Sequence, residues 1–206
     1  MSNQQLLSNQ QIIVTTISIV LLLLIALIAR IIQNQQRSQR LWSGLRNSLP
    51  APLKVRLEAH QDGQLAFFEP APEPFRKLEA QMQTAQRSPR IVLRGQLVKR
   101  PLEELLWQRG RPPDRALRRS IDAGLWELRR IDLVDGEFAV RGVNTAALEH
   151  SFFDLQARFG AFLQRVSVQA GDDFEVEIVV NANRFNNEDL PALLATLRGL
   201  GRAALR

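Results

Sequence analysis

Residues 164–180 read QRVSVQAGDDFEVEIVV, and how they pair decides the fold of the C-terminal half of this chain. Two β-prone runs meet at Gly171-Asp172, residue types that a tight hairpin turn selects. Upstream, LWELRRIDLVDGEFAVRG (125–142) reads the same way, turning at Asp135-Gly136. It leads through Asn144, as N-cap, into a helix that buries Leu148, Phe152, Leu155, Phe159 and Phe162 along one stripe. Downstream, Asn186 or Asn187 caps a further helix. Glu188 and Asp189 sit in its first turn, Pro191 is tolerated near its start, and Leu190, Leu193, Leu194, Leu197 and Leu200 point inward. Two hairpin-helix units in tandem predict a four-stranded antiparallel sheet with two helices on one face, so the expected fold class is α+β. The units share an architecture and no residue-level identity.

The run Phe138-Ala139-Val140-Arg141-Gly142 follows Asp135, and after Asn144 come a helix and another strand pair. This block resembles one in an uncharacterised family of membrane-anchored bacterial proteins, over residues 126–205. The family's block commonly carries an additional Asp just after a first Phe, and Asp135-Gly136-Glu137-Phe138 reproduces only part of it. The resemblance implies the ββα-ββα architecture and brings no activity with it.

Ahead of this half, LKVRLEA (53–59) alternates Leu53, Val55, Leu57 and Ala59 with Lys54, Arg56 and Glu58, the period of a half-buried strand. A turn through Gln61-Asp62-Gly63 joins it to QLAFFE (64–69). Beyond Pro70, Pro72 and Pro74, residues 75–86 suit an amphipathic helix, and RIVLRGQLV (90–98) suits a strand. PLEELLWQ (101–108) reads as a helix started by Pro101, with Glu103 and Glu104 in its first turn. RGRPPDRALRRS (109–120) reads as a helix from Asp114 that places Arg115, Arg118 and Arg119 on one face, opposite Leu117, Ile121, Leu125 and Leu128.

The N-terminal region carries the longest apolar run. IIVTTISIVLLLLIALIA (12–29) contains only Thr15, Thr16 and Ser18 as polar groups, and Ile31 and Ile32 extend it if Arg30 snorkels. Eighteen helical residues span about 27 Å, close to the roughly 30 Å hydrocarbon core, so a transmembrane helix is expected over 12–32. A cleaved signal peptide fits poorly, because no charged side chain precedes Arg30 and Ala26 and Ala29 are three apart. Arg30, Arg37, Arg40 and Arg46 all follow the run, and the positive-inside rule then places the C-terminal domain in the cytoplasm and a short tail (1–11) outside. The expectation is a single-pass protein of a bacterial inner membrane. Its juxtamembrane linker (33–52) would rest Trp42 at headgroup depth and offer those arginines to anionic lipid. The α+β domain would begin near Leu53, with 53–125 and 126–206 as its two parts.

Composition bounds the chemistry. Hydrophobic content of 45% and charged content of 23% belong to a chain that folds. The net charge of +6 is moderate, and a pI near 11.0 overstates it in a chain lacking Tyr and Cys. Without Cys there is no disulfide, thiolate nucleophile or thiolate-ligated zinc. The two histidines, His60 and His150, are far apart, and His150 and Ser151 point about 100° from each other on a helix, so adjacency makes no relay. NANRFNNED (181–189) is rich in oxygen donors but lacks the Gly and Glu of a calcium loop and reads as turn and cap. GQLVKRP (95–101) lacks the spacing of a phosphate loop. No catalytic residue, metal ligand or cofactor is assigned.

The basic constellation is Arg115, Arg118 and Arg119 with Arg129 and Arg130, a face suited to phosphates or to plain solvation. These features point to a non-enzymatic, membrane-tethered interaction or scaffolding module that binds a protein partner, a second copy of itself or anionic lipid. The alternative is a hydrolase or ligand-handling enzyme using carboxylates. Nucleic acid ranks third, because few aromatics interleave the arginines.

Overall fold

The computed structural model describes residues 15–29, 32–33, 36, 39–40, 42–43, 53–60, 63–83, 89–110, 115–130, 137–171, 173–185 and 188–206. The chain falls into two units, one ending at Arg40 and one beginning at Leu41.

Within the first unit, residues 15–29 form a helix, α1, whose large apolar side chains, Leu21 to Leu24 among them, are exposed. The transmembrane helix expected over 12–32 is corrected here: among the described residues no helix is long and apolar enough to cross a membrane. Fifteen helical residues rise about 22 Å, well short of a hydrocarbon core of about 30 Å. Ile12 to Val14 and Arg30 and Ile31, which would supply the missing length, lie outside the described residues. The single-pass topology, the inner-membrane localisation, the external N-terminus and the cytoplasmic placement of the domain all rested on that span and fall with it.

The second unit is the expected α+β domain, with a larger sheet than the tandem pattern predicts. In chain order its elements are β1 (Lys54–His60), β2 (Gly63–Glu69), β3 (Phe75–Gln83), β4 (Arg90–Leu97), β5 (Glu104–Gln108), α2 (Arg115–Asp122), β6 (Glu127–Arg130), β7 (Glu137–Arg141), α3 (Ala146–Phe159), β8 (Leu163–Gln169), β9 (Glu175–Asn181) and α4 (Asp189–Ala203). Among the described residues the nine strands form one antiparallel sheet in the order β1-β2-β3-β4-β9-β8-β5-β7-β6. The two C-terminal hairpins pair internally as expected, but they do not meet each other. β5 lies between β7 and β8, and β9 pairs outward with β4.

Alternation along the strands gives the sheet one apolar face. Leu78, Ala80 and Met82 of β3, Ile91, Leu93 and Leu97 of β4, and Val176, Ile178 and Val180 of β9 are buried in a common core with Leu105 and Trp107 of β5. α4 closes this core with Leu190, Leu193, Leu194, Leu197 and Leu200, and α3 with Leu148, Phe152, Leu155 and Phe159. The Phe152 ring lies 5.9 Å from Trp107 and 5.2 Å from Phe138, so α3 is pinned over β5 and β7 by tilted aromatic contacts. Phe75 holds the other end. A Cβ on Gly95 of β4 would lie 2.5 Å from its ring and one on Gly201 of α4 would lie 2.9 Å from it, so the ring occupies space that two missing side chains leave.

Two segments expected as helices are strands. FRKLEAQMQ of β3 is built from good helix formers, yet it is hydrogen-bonded on both sides, to β2 and β4. ELLWQ of β5 is a five-residue run too short for its periodicity to separate helix from buried strand, and it sits inside the sheet between β7 and β8. α2 ends at Asp122, before Gly124 at φ 70°, so the apolar stripe read from Leu117 through Leu128 is cut, and the helix buries no residue. The N-cap of α3 is Thr145 and that of α4 is Glu188. The turn residues Asp62, Asp135, Gly136 and Asp172, and the caps read at Asn186 or Asn187, lie outside the described residues.

Candidate anion-binding site

The second face of the sheet carries a row whose central positions are charged. Register alone draws it: Arg56, Phe67, Glu79, Arg94, Glu177, Ser167, Leu106, Ala139 and Leu128 are cross-strand neighbours in one row running from β1 to β6. From β1 to β7 along the row each is one residue out of step with the core positions of its strand, and pairing carries the row on to Leu128, so all share the face that α3 and α4 leave uncovered. Opposite charges stand side by side in this row, an arrangement worth a few tenths of a kcal/mol to about 1 kcal/mol per pair.

Beside the row lies a cavity of about 420 Å³. Its apolar floor is Val92 of β4 beside Val179 of β9. Around that floor stand Arg90, Arg94, Arg109 and Arg165, with Glu177 as the single carboxylate of the lining among the described residues. Gln83, Gln108 and Gln164 complete it with amides. Arg90 and Arg94 reach the cavity because they are four residues apart on one strand, and Arg165 because its register partner is Val179. Arg109 arrives from the end of β5, where its backbone N–H donates to the Gln164 carbonyl at 2.9 Å.

The four guanidinium groups are not equivalent. Arg94 Nε donates to Glu177 Oε2 at 2.9 Å and lies 3.3 Å from Glu175 Oε1, while Arg165 Nε is 3.6 Å from Glu177 Oε1. Burial alone would lower the pKa of Arg94, but the hydrogen bond and charge of Glu177, with the charges of Glu175 and Glu79, raise it above its ordinary value. The Glu175 carboxyl is pushed up from the usual range chiefly by burial, with Arg94 opposing and Glu177, Glu79 and Asp173 adding to the shift. Arg109 Nη2 donates to the Gly160 carbonyl. Arg90 stands apart: its Nε is buried and makes no hydrogen bond, and so is the Gln164 side-chain oxygen. A buried polar atom left unpaired costs about 1–3 kcal/mol, so both are groups that a ligand would satisfy.

The residues singled out from sequence lie elsewhere. Arg115, Arg118 and Arg119 do share α2 and are exposed. Arg129 is committed to protein carboxylates: its Nη1 donates to both oxygens of Glu149, at 2.6 and 2.8 Å, and its Nη2 to Glu127, so it ties β6 to α3. Arg130 closes β6 in register with Glu137. Arg30, Arg37 and Arg46 lie outside the described residues, and Arg40 is exposed. Trp42, expected at headgroup depth, is 1% exposed and belongs to the core of the second unit. His150 is an exposed side chain 3.6 Å from Asp154 Oδ2. In the 181–189 segment the Asn181 side chain accepts from the Asn183 N–H at 2.9 Å, a local turn contact, and among the described residues no group of His, Cys, Asp or Glu is gathered for a metal. The cavity itself was missed because its arginines come from two strands, β4 and β8, and the turn after β5. The legible part of the signal was the same-face spacing of Arg90 and Arg94 within RIVLR. No family model, no curated protein and no solved structure matches this chain.

Proposed function

We propose that this protein is a non-enzymatic interaction module that binds an acidic protein segment across the uncovered face of its sheet. One observation carries this reading: among the described residues, four arginines surround a cavity in that face against a single lining carboxylate. Guanidinium groups in a partly desolvated concavity form strong charge-assisted bonds to carboxylates and phosphates. Among the described residues the lining holds no His, Ser or Thr to act as base or nucleophile, and its one carboxylate is engaged by Arg94 and Arg165, which is poor ground for carboxylate hydrolysis. Among the described residues it also lacks an aromatic ring on which a base could stack, which favours an acidic polypeptide over single-stranded nucleic acid. The resemblance of residues 126–205 to an uncharacterised family adds no activity to this reading.

Fluorescence anisotropy with a labelled oligoglutamate peptide tests the proposal. Binding should weaken as ionic strength rises from about 0.02 to about 0.15 M, where screening shortens to roughly 8 Å. It should be lost in the double variant Arg90→Gln/Arg109→Gln and kept in a triple variant of Arg115, Arg118 and Arg119 to Gln. Equal losses in both variants, or no binding at low salt, would overturn it.

A further inference from the structure

Resting on that reading, we infer that the cavity is built for a phosphate monoester rather than a lone carboxylate, with Arg90 and Arg109 as the principal charge partners. The first support is charge matching. Two of the four guanidinium groups are already countered from within the sheet, Arg94 by Glu177 and Glu175 and Arg165 by Glu177. Among the described residues Arg90 and Arg109 make no ion pair, so these two positive charges of the lining are not matched by a described carboxylate. A phosphate monoester carries about −1.5 to −2 at neutral pH, whereas a carboxylate carries one charge and would leave a cation unanswered.

The second support is hydrogen-bond supply. Arg90 Nε is buried and has no hydrogen-bond partner among the described residues. The ester offers three acceptor oxygens to the guanidinium donors. Size is the third. A space of about 420 Å³ accepts a small ester or one modified side chain with its neighbours, and its apolar floor of Val92 and Val179 suits the carbon next to the ester oxygen.

Calorimetric titration of the full chain at fixed neutral pH with phenyl phosphate and benzenesulfonate separates a dianion from a monoanion of the same tetrahedral shape. Phenyl phosphate should bind at least about tenfold tighter, a difference of about 1.4 kcal/mol. Arg90→Gln, which removes the charge, should abolish most of that preference while circular dichroism stays unchanged, and Arg90→Lys, which keeps the charge, should retain it. A phosphoserine peptide and its glutamate counterpart identify the source. Tighter binding of the phosphopeptide than of phenyl phosphate marks a modified side chain, and the reverse order marks a free small ester. Equal affinity for the two phenyl probes, or a preference indifferent to Arg90, would overturn this inference. If oligoglutamate still bound in that case, the acidic-segment reading would survive; if neither anion bound, both would fail.

Discussion

Replacing Glu177 by Gln should move stability and anion affinity in opposite directions. The Glu177 side chain is 10% exposed, accepts from Arg94 at 2.9 Å and lies 3.6 Å from Arg165. Charge centres about 4 Å apart attract by about 4 kcal/mol at an effective dielectric near 20. Arg94 is 38% exposed and Arg165 47%, so solvent screens much of this, and the net loss expected for Glu177→Gln is about 1–2 kcal/mol. The same change removes a negative charge from the cavity wall. For an anion about 7 Å away at an intermediate dielectric near 40, the gain is about 1.2 kcal/mol per ligand charge, nearly tenfold in affinity. Urea denaturation followed by circular dichroism measures the first effect, and titration with phenyl phosphate measures the second. A variant that is less stable and also binds more weakly would show that Glu177 shapes the site rather than neutralising it. A variant as stable as the parent would show that its ion pairs contribute nothing net.

Two further outcomes follow from the packing. Gly95→Ala should cost about 2 kcal/mol, because the new methyl meets the Phe75 ring at 2.5 Å, and the penalty should fall by at least half in a Phe75→Leu background; additive effects in the double-mutant cycle would refute the clash. Glu103 is 5% exposed, accepts from the Asn144 N–H at 3.0 Å with one oxygen and leaves the other buried and unpaired. Burial pushes its pKa above the ordinary 4.5, with the Asn144 bond opposing and Glu149 adding to the rise. Its contribution to stability is therefore complete below pH 4.5 and lost as pH climbs through the raised folded value. Glu103→Gln should be more stable than the parent at pH 7, with the advantage shrinking toward pH 4; denaturation midpoints that run parallel across that range would count against it.

Much of the C-terminal architecture was legible because its signals are local. The Leu stripe of α4 and the Leu and Phe stripe of α3 repeat at helical spacing, and the hairpins β6-β7 and β8-β9 close between neighbours in sequence. Strand order was not legible, since the pairings of β4 with β9 and β5 with β8 join segments more than fifty residues apart, and no turn chemistry encodes them. β3 was misread for a related reason: Lys77, Leu78, Glu79, Ala80 and Met82 favour a helix locally, and only the backbone partners on either side make the extended form win. The candidate site depends entirely on those non-local pairings. A run such as RGRPPDRALRRS draws the eye, whereas Arg90, Arg94, Arg109 and Arg165 become a group only once the sheet is assembled.

The row from Arg56 to Leu128 crosses eight strand-to-strand steps. At the usual rotation of about 20° between neighbouring strands, such a row would turn through on the order of 160° from end to end. A stiff occupant could not lie flat along the whole ladder: it would touch the middle strands and lift away on both sides. A supple chain could follow the spiral, and the length of polymer needed to saturate the protein would then report how far around it the grip extends.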